Sequence, residues 1–273
     1  MAKTVLITGS SSGFGKGAGL LFKEKGWNVA ASMRSPEKAE AWTQSAGLFV
    51  PLIDVTDPES VRSGVAATAE KFGGIDVLVN NAGYAVMGPL EGASPEDLRR
   101  QFDTNVLGLI QATQEVLPVM RKAGHGTIVN ISSMGGRVTF PLLSAYHATK
   151  FAVEGLTESL QYELDQHNIR LKLVEPGGSR TNFGGGSMTR VQHPAYSNLV
   201  DGFEELVKDR VERLPGPEKV VATIYLAATD GSRRLRYPVI TSGFLLMRSL
   251  FGDRGWSAMM RLMARRSVKL GKA

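Results

Sequence analysis

A phenol and an ammonium stand four residues apart in the stretch YHATK, at Tyr146 and Lys150, and a serine hydroxyl, Ser133, lies upstream in ISSMGG. On a helix that spacing puts Tyr146 and Lys150 on one face. A free tyrosine has a pKa near ~10, so a usable phenolate near neutrality needs a drop of roughly 2–3 units, or about 3–4 kcal/mol. One cation at ~4 Å in an effective dielectric of ~20 supplies about 4 kcal/mol. The pair therefore reads as a proton donor or acceptor tuned by its neighbour. The same spacing also arises on helix surfaces by coincidence. It becomes chemistry only when other elements bring a reactant to it.

Those elements can be read along the chain. Short runs rich in Val, Ile and Leu (KTVLIT, NVAASM, LFVPLI, IDVLVN, GTIVNIS and IRLKLVE) each precede a turn and an amphipathic segment. Near-continuous apolar strands alternating with helices predict a doubly wound α/β fold, a parallel sheet covered on both faces. With 273 residues, the whole chain 1–273 is expected to form a single domain. The first strand runs into TGSSSGFG, in which Gly9, Gly13 and Gly15 permit a tight turn and leave no Cβ between backbone and a phosphate. The helix that follows would point its N-terminus at a pyrophosphate. Ser11, Ser12 and Phe14 of the same turn are candidate nucleotide contacts.

The order TGxxxGxG, NNAG at Asn80 to Gly83, and YxxxK in YHATK resembles the short-chain dehydrogenase/reductase family, from residue 3 to about 181. The resemblance implies a Rossmann fold binding NAD(P) and an acid–base tyrosine, Tyr146, whose lysine, Lys150, also holds the nicotinamide ribose. It gives Ser133, thirteen residues before the tyrosine, the substrate-orienting role. Asp54, with Val55 beside it, would contact the adenine. Asn81, with Ala82 and Gly83, would brace the central strands and border the ribose. Asn105 in FDTNVLG would act through its backbone carbonyl in a water path to the lysine. PGGSRT resembles the segment that holds the nicotinamide carboxamide, through Pro176, Gly177, Ser179 and Thr181, although Ser179 replaces the usual valine.

The choice of nucleotide is argued at the end of the second strand. An NAD site places a carboxylate there to bond the ribose 2′-hydroxyl. Here Met33 holds that place and Arg34 follows, so NADP(H) is expected over NAD(H), with Arg34 clamping the 2′-phosphate.

Composition narrows the rest. There is no cysteine, and the four histidines show no metal-ligand spacing, so no metal is expected. No run approaches the ~18 apolar residues of a spanning helix, and the chain opens directly into a strand, so a cytoplasmic location is expected. Net charge is +6, yet residues 231–273 carry ten Lys/Arg against Asp253 alone, which leaves the remainder at −3. No basic and aromatic stripe suggests nucleic acid outside this tail.

Residues 182–213 are expected to be a substrate lid and 243–273 a helical extension. Within the extension Trp256, Met259, Met260 and Met263 follow helical spacing among Arg261, Arg265, Arg266 and Lys269. This stripe is expected to pack on the body or over a neighbouring subunit; contact with an anionic membrane surface is the alternative. The C-terminus looks like the branch with hydroxysteroid and retinol dehydrogenases, implying a fairly apolar ketone, aldehyde or alcohol as substrate. A 3-oxoacyl-carrier-protein reductase and a non-catalytic NADP sensor are the alternatives, and the family implies a homodimer or homotetramer.

Overall fold

The computed structural model describes residues 2–180, 187–241 and 243–272. Seven strands form a parallel sheet: β1 (Thr4–Ile7), β2 (Asn28–Ala31), β3 (Leu48–Phe49), β4 (Val77–Asn80), β6 (Gly126–Ile131), β7 (Ile169–Pro176) and β9 (Arg236–Val239). They lie in the order β3-β2-β1-β4-β6-β7-β9. The six runs noted in the sequence supply the first six of these strands. RLRYPV, outside those six runs, supplies the seventh, paired Val174 to Tyr237 and Pro176 to Val239.

Alternation on β1 shows why both faces need cover. Val5 and Ile7 enter a core with Phe22 of α1 (Gly13–Glu24) and Ile224 of α7 (Glu218–Thr229). Leu6, pointing the other way, joins Val61 of α2 (Pro58–Phe72) and Val116 of α4 (Gly108–Ala123). Each such side chain contributes about 1.5–3 kcal/mol by leaving water. The helix before α4, α3 (Pro95–Phe102), runs into it through a π-turn at Asp103–Leu107. Helix α5 (Ser144–Leu164) carries Tyr146 and Lys150, as their spacing requires.

The strand order reverses between β1 and β4, and the loops after these two strands open a crevice at the carboxyl edge of the sheet. Ligands of open α/β sheets bind in such a crevice. A small parallel pair, β5 (Ala85–Met87) with β8 (Met188–Arg190), stands beside it. Helix α6 (Ser197–Glu212) follows, and the long C-terminal α8 (Phe244–Leu270), kinked at Gly252, packs on α6. The approach is close enough that a Cβ on Gly202 would lie 1.7 Å from the Ser267 carbonyl oxygen. Along α8, Trp256 and Ser267 are buried and Met259, Met260 and Met263 half-buried, while Arg261, Arg265, Arg266 and Lys269 are exposed. The Trp256 indole donates to Thr139 O at 3.1 Å and its ring meets Phe140 and Phe244 edge-on. No helix among the described residues is long and apolar enough to cross a membrane.

Candidate active site

The turn after β1 has its shape because no side chain fits there. Gly9 has φ +68°, and a Cβ on it would lie 2.9 Å from Ala82 Cα; one on Gly15 would lie 2.4 Å from Gly9 O. Gly13 also has positive φ, 56°. Asn81 holds the turn from the far side: its Nδ2 donates to Thr8 O at 3.0 Å and Gly9 O at 2.9 Å. The backbone N–H groups of Asn81 and Ala82 donate to Thr8 Oγ1. Asn81 and Thr8 thus tie the end of β4 to the turn after β1, Thr8 being a partner that spacing alone did not reveal.

This turn forms one end of a cleft of about 1110 Å³. Gly9, Ser11, Ser12, Gly13 and Phe14 line it, with Arg34, Asp54 and Val55 along one side and Asn81, Ala82 and Gly83 beneath. Gly15 lies behind the turn and does not line it. Asp54 Oδ1 is taken up by Thr56, accepting from its N–H at 3.0 Å and its hydroxyl at 2.7 Å. Arg34 is exposed and makes no ion pair among the described residues, while Met33 before it is buried. On the opposite side stand Pro176, Gly177 and Ser179. A Cβ on Gly177 would lie 1.8 Å from Ile240 O. Ser179 Oγ donates to Gly216 O at 3.0 Å, so this hydroxyl secures its loop to the segment before α7. Thr181 lies outside the described residues, as do 182–186 of the expected lid; Ser187 to Arg190 and part of α6 line the cleft.

Ser133, Tyr146 and Lys150 meet in the middle of this cleft. Ser133 hydrogen-bonds the Tyr146 phenol and accepts from Gly135 N at 3.0 Å. Lys150 Nζ donates to Ile131 O at 2.9 Å and sits 5.8 Å from the Tyr146 ring centroid. The electrostatics correct one expectation. Burial pushes the phenol up to about 12, and the Ser133 bond only partly opposes it. Burial also brings the lysine down to about 8, while Glu154 one turn further along α5 lifts it. Desolvation of the phenolate outweighs the Ser133 hydrogen bond, so Tyr146 holds its proton at neutral pH.

Asn105 is placed differently from the other three. It lies in the π-turn, 1% exposed, and does not line the cleft. Its Nδ2 donates to Tyr84 O at 2.8 Å and Thr149 Oγ1 at 3.0 Å, and its Oδ1 accepts from Tyr84 N at 3.0 Å. A Cβ on Gly83 would come 3.1 Å from Asn105 Oδ1 and 3.9 Å from Lys150 Nζ. Asn105 thus ties the loop after β4 to the helix carrying the lysine, and π-turns often mark such places. Thr149 is a second participant that spacing did not reveal; its position beside Lys150 was the available signal. His147, by contrast, is structural. Its Nδ1 pairs with Gly135 O at 2.8 Å, Phe140 N donates to its Nε2, and burial keeps its pKa below the usual value.

A dinucleotide fits this cleft. Glycines stand where a Cβ would collide, a helix begins at the turn, and the Asp54 carboxylate and the Arg34 guanidinium, which has no ion pair among the described residues, line one side. Such a cradle beside a serine, a tyrosine and a lysine defines a nicotinamide-dependent oxidoreductase of the doubly wound class. The chain belongs to the short chain dehydrogenase family, whose profile matches residues 3–190.

Among its relatives, the uncharacterized oxidoreductase YusZ of Bacillus subtilis is 38% identical over 276 residues, 95% of this chain and 97% of that one. The 3-ketodihydrosphingosine reductase of Bacteroides thetaiotaomicron is 41% identical over 179 residues, 66% of this chain and 65% of that one. A short-chain dehydrogenase from Streptomyces avermitilis superposes with a TM-score of 0.82 at 34% identity, over 96% of this chain and 98% of that one. The 3-ketoacyl-(acyl-carrier-protein) reductase from Brucella melitensis, complexed with NADH, superposes with 0.74 at 27% identity, over 87% and 96%.

Proposed function

We propose that the protein is an NADP(H)-dependent reductase that converts a fairly apolar ketone or aldehyde to an alcohol, reversibly, with Tyr146 as the acid. The observation that carries this reading is the meeting of Ser133, Tyr146 and Lys150 inside a cleft that has a glycine cradle at one end. In this reading Gly9, Ser11, Ser12, Gly13 and Phe14 hold the pyrophosphate, Asp54 and Val55 the adenine, and Asn81 to Gly83 the neighbouring ribose. Pro176, Gly177 and Ser179 hold the carboxamide end. A bound reduced nicotinamide would supply the hydride. Tyr146 gives its proton to the carbonyl oxygen as charge develops there, and Ser133 hydrogen-bonds the same oxygen. Lys150, charged below about 8, favours the phenolate that remains. In the direction of alcohol oxidation the same phenolate recovers the proton.

The substrate class follows from the far end of the cleft, where Met87, Met188, Val207, Val211 and Leu214 contribute apolar surface. A relative named as acting on 3-ketodihydrosphingosine supports a ketone on an apolar chain. Residues 187–213 would serve as the described part of the lid, since they already form one wall of the cleft. The nucleotide preference rests on Arg34, which is unpaired at the rim where a carboxylate would oppose a 2′-phosphate.

The test is a panel of ketones and aldehydes with NADPH and with NADH, repeated on Arg34→Ala. The substitution should raise the KM for NADPH by about 10–100-fold, the loss of one charge-assisted phosphate contact, and change that for NADH by no more than about 3-fold. Equal losses for the two nucleotides would remove the basis for the preference.

A further inference from the structure

Behind Lys150, away from the cleft, two carboxyl groups are buried together. Glu154 stands one turn beyond Lys150 on α5, continuing the face that begins at Tyr146, and is 5% exposed. Glu175, at the end of β7, is 0% exposed. Arg236 Nε on β9 lies between them, 3.0 Å from Glu154 Oε2 and 3.3 Å from Glu175 Oε1. The other charges facing the pair are Arg137, 3.5 Å from Glu175 Oε2, and Glu158, which pairs with Arg236 on the solvent side. The Ser132 hydroxyl lies against Glu154, while the two Glu175 oxygens meet only the long arginine contacts and fall short of good hydrogen-bonding geometry. The backbone makes room for this arrangement, since a Cβ on Gly136 would lie 2.8 Å from Glu154 Cγ and 2.9 Å from both Lys150 O and Ser132 Oγ.

Buried polar groups left unsatisfied are uncommon, and such a carboxyl paired with one a turn from a reactive lysine calls for a physical reason. Two carboxylates so close cannot both ionise at low cost, so the pair shares one proton near neutrality and carries one negative charge. Burial raises Glu175 to about 7, with the Glu154 charge adding to the effect and the two arginines opposing it. Burial likewise raises Glu154, opposed by the Ser132 hydroxyl and by Arg236. Glu154 retains the charge, because Arg236 makes its hydrogen bond to that carboxylate rather than to Glu175.

We propose that the buried pair Glu154–Glu175 is a positioning element for Lys150, its single shared negative charge holding the lysine in the ammonium form. The proposal rests on the reading of Lys150 as the partner of Tyr146. Burial alone works against the ammonium in a site this dry, and the nearest counter-charge on the same helix is Glu154. Glu175 supplies the protonated member that keeps the second charge out, and Arg236 fixes both.

The test follows Lys150 by the 13C shift of its ε-methylene across pH in the wild type, Glu154→Gln and Glu175→Gln. Glu154→Gln should lower the Lys150 titration by about 1 unit, the effect of one charge removed at close range. Glu175→Gln should lower it by clearly less than Glu154→Gln does, because it removes only the second charge that the pair gains near pH 7 and leaves Glu154 ionised one turn from the lysine. In the wild type itself the Lys150 resonance should show a second inflection near pH 7, where the pair loses its shared proton, and this readout needs no variant to fold. With a carbonyl from the panel and NADPH, the alkaline limb of kcat/KM should move to lower pH further in Glu154→Gln than in Glu175→Gln. A Lys150 titration unchanged in Glu154→Gln, equal shifts in both variants, or a wild-type curve without the second inflection would each overturn the proposal. A Lys150 titration that moves as expected in a protein that turns over no carbonyl would instead leave the charge relation standing and count against the catalytic reading.

Discussion

Burial makes opposite demands on the protons of Tyr146 and Lys150, and stability should record the lysine's part. The folded ammonium titrates near 8 and the unfolded one near ~10.4. Below about pH 8 both states are charged, so the cost of burying the cation is present in full. Between about 8 and 10.4 the native state has released its proton and the unfolded chain has not, so stability rises with pH. Compared with Lys150→Met, the wild type should gain on the order of 3 kcal/mol across that window, measured by urea unfolding at several pH values. A difference that stays flat would mean that the lysine is hydrated. At this scale Tyr146, Lys150, Ser133 and Arg34 were legible because helical spacing and strand-end position constrain them. Glu175, Thr149 and Thr8 were not, because their partners come from other elements and no local spacing connects β7 to α5. The lowered phenol was read from one Coulomb pair; burial of the phenol reversed it.

Although β3 keeps only Leu48–Phe49 of the run LFVPLI, six strands of the main sheet could be read from their apolar runs, since a strand covered on both faces is apolar at every position. The pair β5 and β8 could not, at three residues each, too short for any period to show. The π-turn holding Asn105 also left no pattern, as its neighbours read as one continuous helix. The C-terminal helix was legible as amphipathic, whereas its seat was not: Trp256 finds its hydrogen bond at Thr139 and its ring contacts at Phe140 and Phe244. Phe140 N in turn donates to His147, the residue after Tyr146. Trp256→Ala should therefore destabilise the fold by about 3–5 kcal/mol, seen in chemical denaturation, and speed amide exchange in α8 and at residues 139–141. A loss below about 1 kcal/mol would show that α8 is only loosely seated.

Taken whole, the molecule places its chemistry where two chain reversals meet. The loops after β1 and β4 build one end of the cleft, the loop after β6 and helix α5 bring Ser133, Tyr146 and Lys150 to it, and β8 with α6 supply the wall where, in the proposed function, substrate would lie. Charge is divided as the sequence divides it, with the positive excess on the segment from 231 onward and its α8 cations facing outward. The fold was legible at this scale because most crossovers follow the strand–helix alternation; β2 and β3 are joined instead by two short turns of 3-10 helix, Pro36–Lys38 and Ala41–Gln44. The substrate was not, because the wall facing it comes from short and irregular segments.

The most direct measurement compares wild type with Tyr146→Phe for NADPH oxidation against the carbonyl panel, with nucleotide affinity taken from fluorescence titration of the same samples. Loss of the phenolic proton should lower kcat by about 10²–10⁴-fold, while NADPH affinity stays within about twofold. A phenylalanine variant that reduces the same carbonyls at the wild-type rate would contradict Tyr146 as the acid.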